Sequence, residues 1–395
     1  MDIMNVSQKT TQDAQDGLST FVVSTDSDLL ALRDEWNELV ENDGRATIFQ
    51  TWEFQYHAWR MLSETVSLHL VLVRDETGAL IGCAPLGIHT WRKGPLSVRV
   101  LAFSGFRYSD YSDFIVLPDR AQDALAALAE WFSDNTRRWD VVELMPVRED
   151  SWARHDDWFL SKVRVLSQTT PYRSAPYLGF QPGWSSYEDA LSRKRAKATR
   201  YQVRKLLRRA EGRFQTAISG EALEDALRDL IDLHQKRMRQ KHQVGMFADP
   251  VRQACFRSLI KGLAARGLAK VHSISSNGRT IASDCVFQFR GSVAAYQGGF
   301  DPEFYQLSPG TVNQALIINE ALSAGAVEYD FLIGDEAWKY EWTNEERQLY
   351  RIEFSTKSWR RFPYHWADTL RVTLSRSERL RRLNLWLRAW VTKEL

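Results

Sequence analysis

Apolar residues recur at helical spacing over several long stretches of the chain, and these stretches alternate with shorter runs typical of strands. The predicted helices cover residues 26–41, 49–62, 119–135, 186–211, 220–241, 250–265 and 309–324. The predicted strands cover residues 20–24, 67–74, 79–90, 97–103, 112–117, 140–145, 163–169, 175–179, 269–275, 280–290, 293–300, 327–333 and 349–355. Helices and strands mixed along the whole chain predict an α/β protein.

The order of elements is similar in the two halves of the chain, with a seam near residues 171–182. Each half runs from a strand through helices to several strands, then a helix and further strands. This order predicts two copies of one α/β unit, at residues 20–172 and 173–365. Residues 1–19 are expected to be a disordered tail, and residues 366–395 a basic amphipathic helix.

Composition and charge limit the kinds of function that the chain can have. The chain has 395 residues, 44% of them hydrophobic, and a formal net charge of +2. Hydrophobic cores of ordinary size are therefore expected. Because the net charge is close to zero, a site that binds an anion must be a local feature and cannot result from the charge of the whole chain. The three cysteines, Cys83, Cys255 and Cys285, show no disulfide or metal spacing,. A polar N-terminus and the lack of an 18-residue apolar run favour a cytoplasmic protein without a membrane span.

The segment 293–342 carries the most informative pattern. A strand at 293–300 is followed by Leu307, Ser308, Pro309, Gly310 and Thr311, which open a helix. Free N–H groups and the helix dipole at such a turn bind phosphate without a charged side chain. An ordinary capped helix is the alternative, because Ser-Pro starts are common.

Motifs around this turn resemble a known family, the GNAT-superfamily acyltransferases associated with bacterial cellulose and exopolysaccharide biosynthesis. That group is similar in fold to the Fem-type aminoacyl transferases. The resemblance extends over roughly residues 21–362. The motifs are Asp301, Ser308-Pro309-Gly310, Gly325, Tyr329-Asp330-Phe331, Gly334-Asp335-Glu336, Lys339 and Trp342.

The resemblance implies tandem GNAT-like domains, with mixed and mostly antiparallel sheets flanked by helices. It also implies an acyl-CoA-dependent N-acyltransferase, with the CoA pyrophosphate on Leu307, Ser308, Gly310 and Thr311. In the first copy, Asp119 stands at the corresponding helix start and would repel a pyrophosphate,. Donor binding is therefore expected in the second copy.

Three residues are candidates for the chemistry. Asp330 lies inside a predicted strand, where desolvation raises a carboxyl pKa toward that of a general base. A buried ion pair of Asp330 with Lys339 or an arginine is the alternative. Asp284 is a similar, weaker candidate. Tyr296 would donate to the leaving thiolate, a role that the resemblance implies.

Acceptor binding is expected at Asp110 and Asp113, whose carboxylates would hold an amine or hydroxyls through charge-assisted hydrogen bonds. Turn formation by the same residues is the alternative. Lys339 would contact a phosphate or the substrate, or else neutralise Asp335. We expect no metal site.

Two basic segments leave several partners open. The run 193–213 would bind RNA, an anionic glycan or the 3′-phosphate of CoA, or form a solvated helix face. The near-neutral net charge favours the solvated face, so nucleic acid is not an expected partner. The basic helix at 375–395 would dock on its own domain, on a second copy in a homodimer, on a synthase complex or on anionic lipid.

The sequence therefore predicts an enzyme that transfers an acyl group, most simply acetyl, from acetyl-CoA to an amine. The acceptor is expected to be an amino sugar or another small precursor of a surface polysaccharide. One alternative is a Fem-type ligase that uses aminoacyl-tRNA. Another is a non-catalytic partner in a polysaccharide synthase complex.

Overall fold

The structure, a computed structural model, describes residues 17–93, 96–155 and 166–355. Most of the predicted tail and the whole of the predicted C-terminal basic helix lie outside these residues, as does the start of the strand predicted at 163–169.

Helices occur where the apolar periodicity places them. They are α1 (Asp26–Ala31), α2 (Arg33–Asn42), α3 (Trp52–Arg60), α4 (Ala121–Asp134), α5 (Arg193–Arg204), α6 (Gly220–Gln240), α7 (Pro250–Ala265) and α8 (Pro309–Ser323). No helix in the described part of the chain combines the length and apolar character needed to cross a bilayer.

Strands fill most of the remaining length. They are β1 (Ser19–Val23), β2 (Val66–Leu68), β3 (Leu70–Arg74), β4 (Leu80–Ala84), β5 (Leu86–Lys93), β6 (Leu96–Phe103), β7 (Ile115–Val116), β8 (Val141–Arg148), β9 (Leu166–Gly179), β10 (Arg213–Ala217), β11 (Ala269–Ser276), β12 (Arg279–Phe289), β13 (Ser292–Phe300), β14 (Glu328–Asp330) and β15 (Glu346–Ser355).

The chain divides into two compact units. Among the described residues, the first unit contains 17–46, 62–93, 96–155, 166–172 and 350–355. The second contains 47–61 and 173–349. Neither unit is a single stretch of sequence, because the chain passes between them four times.

The first unit contains strands in the order β1-β3-β4-β7, all antiparallel. It also contains β2-β5-β6-β8, in which β6 and β8 are parallel. Helix α4 contributes Leu125, Leu128 and Phe132 to a fully apolar core. These residues are three and four apart, so they lie on one side of the helix.

The second unit is built on strands in the order β10-β11-β12-β13-β14-β9. Neighbours are antiparallel except β13 and β14, which are parallel and connected through α8. Helix α8 covers one face of this sheet, where Asn313 contacts Asp284. Helices α3, α6 and α7 cover the other face, where Phe54 of α3 packs on Phe287.

The segment Thr47–Met61, which sequence order places in the first domain, packs in the second unit. Phe49 and Phe54 join an aromatic cluster with Phe287 and Tyr296. Aromatic side chains bury large areas, so the position of these rings decides where the helix packs. Local periodicity predicts the helix but not the sheet that it covers.

Several elements differ from their predicted extents, and three of them lie in the second unit. The strand β10 was not expected, because its alternation is masked by charged and polar residues on an exposed side. The helix predicted at 186–211 is divided into a 3-10 turn at Tyr187–Ala190, α5, and a π-helical turn at Lys205–Arg209. The strand β14 ends early at Asp330, because Leu332 adopts a left-handed backbone with φ of 59°,.

Candidate active site

The parallel strands β13 and β14 separate after three register pairs, from Ser292 opposite Glu328 to Ala294 opposite Asp330. Strand β14 ends there, while β13 continues to Phe300. In the described residues, the edge of β13 beyond Ala294 is therefore not paired with β14. Such an edge presents N–H and C=O groups to any extended ligand that lies along it.

A β-bulge on β13 lies at this open edge. Cys285 pairs with Gln297 and Val286 pairs with Ala295, so Tyr296 is the extra residue between them. A bulge leaves its extra residue outside the regular ladder and bends the strand. The bulge therefore changes the direction of the backbone where the edge becomes open.

The turn that precedes α8 follows the open strand. Asp301 caps a 3-10 helix at Pro302–Leu307, and Ser308 then adopts a left-handed backbone with φ of 50°. Pro309 is the first residue of α8, and the Val312 N–H donates to the Ser308 carbonyl. N–H groups in the first turn of a helix have no partner within the helix, and the dipole makes this end positive. The geometry suits an anion.

The residues predicted to bind the acyl donor differ in how they pack at this turn. Leu307 packs in an apolar cluster with Phe300 and Phe304. Gly310 lies over Phe300, where an added Cβ would come within 3.4 Å of the ring. Ser308, Gly310 and Thr311 are partly exposed. The small residues therefore keep the turn accessible, while Leu307 anchors it.

The basic segment α5 and its π-helical turn contact the same loop. Gln202 Nε2 donates to Ser308 Oγ at 3.2 Å, and Lys205 Nζ donates to the Gln306 carbonyl at 2.9 Å. These contacts bring the densest positive charge of the chain beside the start of α8.

Asp284 is the candidate base whose surroundings fit that role best. Asn313 Nδ2 donates to Asp284 Oδ2 at 2.6 Å, and Asp284 Oδ1 lies over Gly298, where a side-chain Cβ would overlap it. Asp284 remains partly exposed beside the open part of β13. Desolvation raises the pKa of Asp284 to about 6, against the Asn313 hydrogen bond and the charge of Arg237,.

His272 pairs with Asp284 across β11 and β12, so the two side chains emerge on one face,. Burial lowers the pKa of His272 to about 4, against the charge of Glu320. Thr216 Oγ1 lies 3.1 Å from His272 Nδ1. The imidazole is therefore neutral near pH 7, and Asp284 is the member of this pair that titrates near neutrality.

Asp330 is buried at 3% exposure, and both of its carboxyl oxygens have partners. Oδ2 lies 3.2 Å from Arg347 Nη1, and Oδ1 accepts the Leu332 N–H at 2.7 Å. This arrangement corresponds to the ion-pair alternative, with Arg347 as the cation in place of Lys339. It holds the left-handed Leu332 at the end of β14.

Tyr296 lies on the opposite face of the sheet from Asp284. Its ring centroid is 4.6 Å from that of Phe287 and 5.8 Å from that of Phe54. The structure therefore does not bring the three predicted catalytic side chains together on one face.

Lys339 is buried, and its ammonium group is held by the loop that follows β14. Nζ donates to the carbonyls of Leu332 and Ile333 at 3.0 and 2.9 Å, and it pairs with Glu336 at 3.1 Å. These bonds, together with the Gly334 N–H that donates to the Ser174 carbonyl, fix the backbone of this loop. Lys339 and Asp330 thus connect to the same strained segment.

The predicted acceptor residues Asp110 and Asp113 lie in the first unit. Asp113 is buried, and its carboxyl accepts the N–H groups of Phe114, Trp152 and Ala153 at 2.8–2.9 Å. Desolvation raises the pKa of Asp113 to about 8, against these three hydrogen bonds. Asp110 is partly exposed. Asp113 therefore organises its own loop.

Two residues of the Asp284 site escaped the sequence analysis. Asn313 is one of two buried amides in α8, beside Gln314. Gly298 belongs to a glycine pair inside a strand. Both were visible signals, since a buried amide needs partners and a glycine within a strand often marks a close approach.

No metal site emerges from the geometry of the described residues, where no group of three or more His, Cys, Asp and Glu side chains is placed to hold an ion.

Comparison with solved structures shows the fold. FemX is 12% identical, with a TM-score of 0.59 over 82% of this chain and 96% of FemX. The C-terminal domain of a putative lysylphosphatidylglycerol synthetase from Agrobacterium fabrum is 10% identical, with a TM-score of 0.53 over 87% of this chain and 97% of that one. L-PGS from Bacillus licheniformis is 10% identical, with a TM-score of 0.51 over 82% and 92%.

No curated protein matches the sequence. Residues 193–340 match the family model of the acetyltransferase (GNAT) domain. The matched residues contain the open strand β13, the turn before α8, Asp284 and Asp330. The predicted α/β fold of GNAT type is confirmed, and this segment of the chain is a GNAT-type N-acyltransferase domain.

Proposed function

We propose that this protein transfers an acyl group, most simply acetyl, from CoA to the amine of a small acceptor such as an amino sugar or polysaccharide precursor. The observation that carries the proposal is the open edge of β13, which is followed, after the 3-10 helix Pro302–Leu307, by the turn at Ser308–Thr311. An extended donor with an anionic end fits this combination of strand edge and helix start.

The donor would lie along β13. Its pyrophosphate would accept N–H groups from the first turn of α8 near Gly310 and Thr311, without a counter-charge from a side chain. Its amide-bearing arm would pair with the backbone of β13 between Tyr296 and Phe300. The thioester would then lie near the bulge at Tyr296, where a backbone N–H can polarise the carbonyl.

Asp284 would accept the proton of the attacking amine. The amine nitrogen forms the new bond to the acyl carbon, the carbon–sulfur bond breaks, and sulfur leaves as a thiolate that takes up a proton. A carboxyl whose pKa is about 6 is mostly ionised near pH 7 and is basic enough to assist the attack,. Asp284 is preferred to Asp330, because Arg347 and the Leu332 N–H hold both oxygens of Asp330.

Calorimetric titration with acetyl-CoA tests the donor site. We expect micromolar binding by the wild-type protein and its loss in Gly310→Asp, because the new carboxylate would repel the pyrophosphate. Gly44→Asp is the matched control, since Gly44 lies in the first unit with open space around it. Equal binding by the Gly310→Asp variant would place the donor elsewhere.

One observation favours a second candidate, a ligase of Fem type that uses aminoacyl-tRNA. Helix α5 carries exposed cations that would suit RNA,. Binding of aminoacyl-tRNA by a protein that ignores acetyl-CoA and longer acyl-CoAs would support this candidate. A protein that binds neither would be a non-catalytic partner.

A further inference from the structure

A stripe of positive charge runs along one side of the segment that begins with α5. Its members follow one another at spacings of three and four residues, with a single aromatic in the middle. They are Lys194, Lys197, Tyr201, Arg204, Lys205 and Arg208. At 100° per residue the four members in α5 fall within about 80° of arc, and Lys205 and Arg208 follow in the π-helical turn,. Tyr201 is 57% exposed.

Arginines beside the stripe are neutralised, whereas most of the stripe is not. Arg195 pairs with Glu341, and Arg200 pairs with Glu188. Lys194, Lys197, Arg204 and Arg208 form no salt bridge with any residue in the described ranges, and all four are exposed. Arg204 lies near Glu188, whose pKa is lowered first by its hydrogen bond with Arg200 and also by the charge of Arg204. A tyrosine exposed among cations that form no salt bridge is a suitable surface for an aromatic base that carries phosphate.

One end of the stripe adjoins the proposed donor turn. Lys205 lies four residues after Tyr201 and three before Arg208, and its Nζ donates to the Gln306 carbonyl at 2.9 Å. Gln202, on the next position around the helix, donates to Ser308 Oγ. The stripe therefore meets the proposed donor turn at Lys205.

We propose that Tyr201, Arg204 and Arg208 form the subsite for the 3′-phosphoadenosine end of the donor, with Arg204 and Arg208 on the 3′-phosphate and Tyr201 against the adenine. The inference rests on the proposed function and adds specificity to it. A donor anchored by backbone N–H groups alone would not distinguish CoA from dephospho-CoA. Arginine side chains on the 3′-phosphate would.

The test compares CoA with dephospho-CoA by calorimetric titration of the full chain. We expect CoA to bind at least tenfold more tightly than dephospho-CoA, with a stronger dependence on salt. Arg208→Gln and Arg204→Gln should each weaken CoA several-fold and leave dephospho-CoA unchanged, so that the double variant no longer distinguishes them. Arg193→Gln removes the same charge from an exposed position at the other end of α5, about 16 Å from Arg204 along the helix axis, and should change neither affinity,.

The outcomes separate the two proposals. Equal binding of CoA and dephospho-CoA by the wild-type protein would overturn the subsite and leave the donor turn in place. A protein that binds neither compound would overturn the proposed function and the subsite together. Salt-dependent binding of single-stranded RNA that is lost in the same variants, with unchanged CoA affinity, would assign the stripe to RNA instead.

Discussion

At the scale of single residues, Asp284 shows how position decides the chemistry of a carboxyl group. Asp284 and Asp330 both lie in strands of the same sheet, yet their surroundings differ. Arg347 and a backbone N–H hold Asp330. Asp284 has a single side-chain donor, Asn313, and lies over a glycine at the open edge. Of these two carboxyl groups, Asp284 is the one that is partly exposed, and its pKa is raised.

The first prediction concerns the pH dependence of turnover. The base must be ionised, so kcat/KM should rise with pH through an apparent pKa near 6 and level off above it,. Asp284→Asn should lower kcat by about 100-fold or more and abolish this limb of the profile. Asp330→Asn should mainly lower the free energy of unfolding. A profile unchanged in Asp284→Asn would exclude Asp284 as the base.

Gly298 provides a second measurement on the same base. Gly298→Ala adds a Cβ that overlaps Asp284 Oδ1, so the carboxyl must move without losing its charge. We expect kcat to fall by at least tenfold with little change in acetyl-CoA affinity. Gly44→Ala, in open surroundings, is the control.

The sequence identified Asp284 as a candidate but ranked it second, and the reason is physical. Desolvation raises the pKa of Asp284 only in the folded sheet. Asn313, Gly298 and the open edge, which complete the site, lie far apart in the chain and meet only there. By contrast, the turn at Ser308–Thr311 was predictable, because its residues are consecutive and its N–H groups belong to the backbone.

At the scale of elements, hydrogen bonds hold the segment after β14 in one fixed loop. Leu332 has a left-handed backbone, and the ammonium group of Lys339 joins the carbonyls of Leu332 and Ile333. A leucine in this conformation is uncommon and needs support from its surroundings. The spacing from Asp330 to Lys339 is therefore explained by backbone geometry.

The second prediction follows from this loop. Lys339→Met keeps much of the buried side-chain volume and removes the donors of two buried carbonyls, which should lower the free energy of unfolding by about 1–3 kcal/mol. Urea denaturation of the purified protein measures it. Glu336→Gln should change stability by less, because Glu336 is 57% exposed,. Equal effects of the two substitutions would mean that the ion pair, not the carbonyl contacts, holds the loop.

Elements were predicted well wherever one side of the chain is apolar over several turns, as in α4, α6 and α7. The strand β10 was not predicted, because its exposed side is polar and its pairing with β11 holds it in the extended conformation. The π-helical turn at the end of α5 was not predicted either. Pairing across a sheet and packing against α8 are tertiary effects that local periodicity does not record.

At the scale of the whole molecule, the units are interleaved in sequence. The second unit depends on Thr47–Met61, whose Phe49 and Phe54 pack on Phe287 and Tyr296. One of the passages between the units, at residues 172–173, lies within the seam that the order of elements predicts. The transfer of one early segment to the later unit was not predictable, because an aromatic amphipathic helix fits either core.

The third prediction tests this dependence. A fragment of residues 173–349 should be poorly soluble, because it leaves the Phe287 and Tyr296 rings uncovered,. Adding a peptide of residues 47–61 should restore soluble, folded protein, as judged by circular dichroism and size-exclusion chromatography. A peptide with Phe49→Ser and Phe54→Ser is the matched control. A stable fragment without any peptide would contradict the assigned packing.

The position of Phe49 and Phe54 also affects how the protein is made. Their partners on β12 and β13 are translated more than two hundred residues later. At typical rates of synthesis, of order 5–20 residues per second, roughly 10–50 s separate the two events. During that interval the aromatic segment is outside the ribosome, while the strands on which it packs have not yet been synthesised. The nascent chain should therefore be a client of chaperones that shield aromatic segments until the last third of the protein has been synthesised.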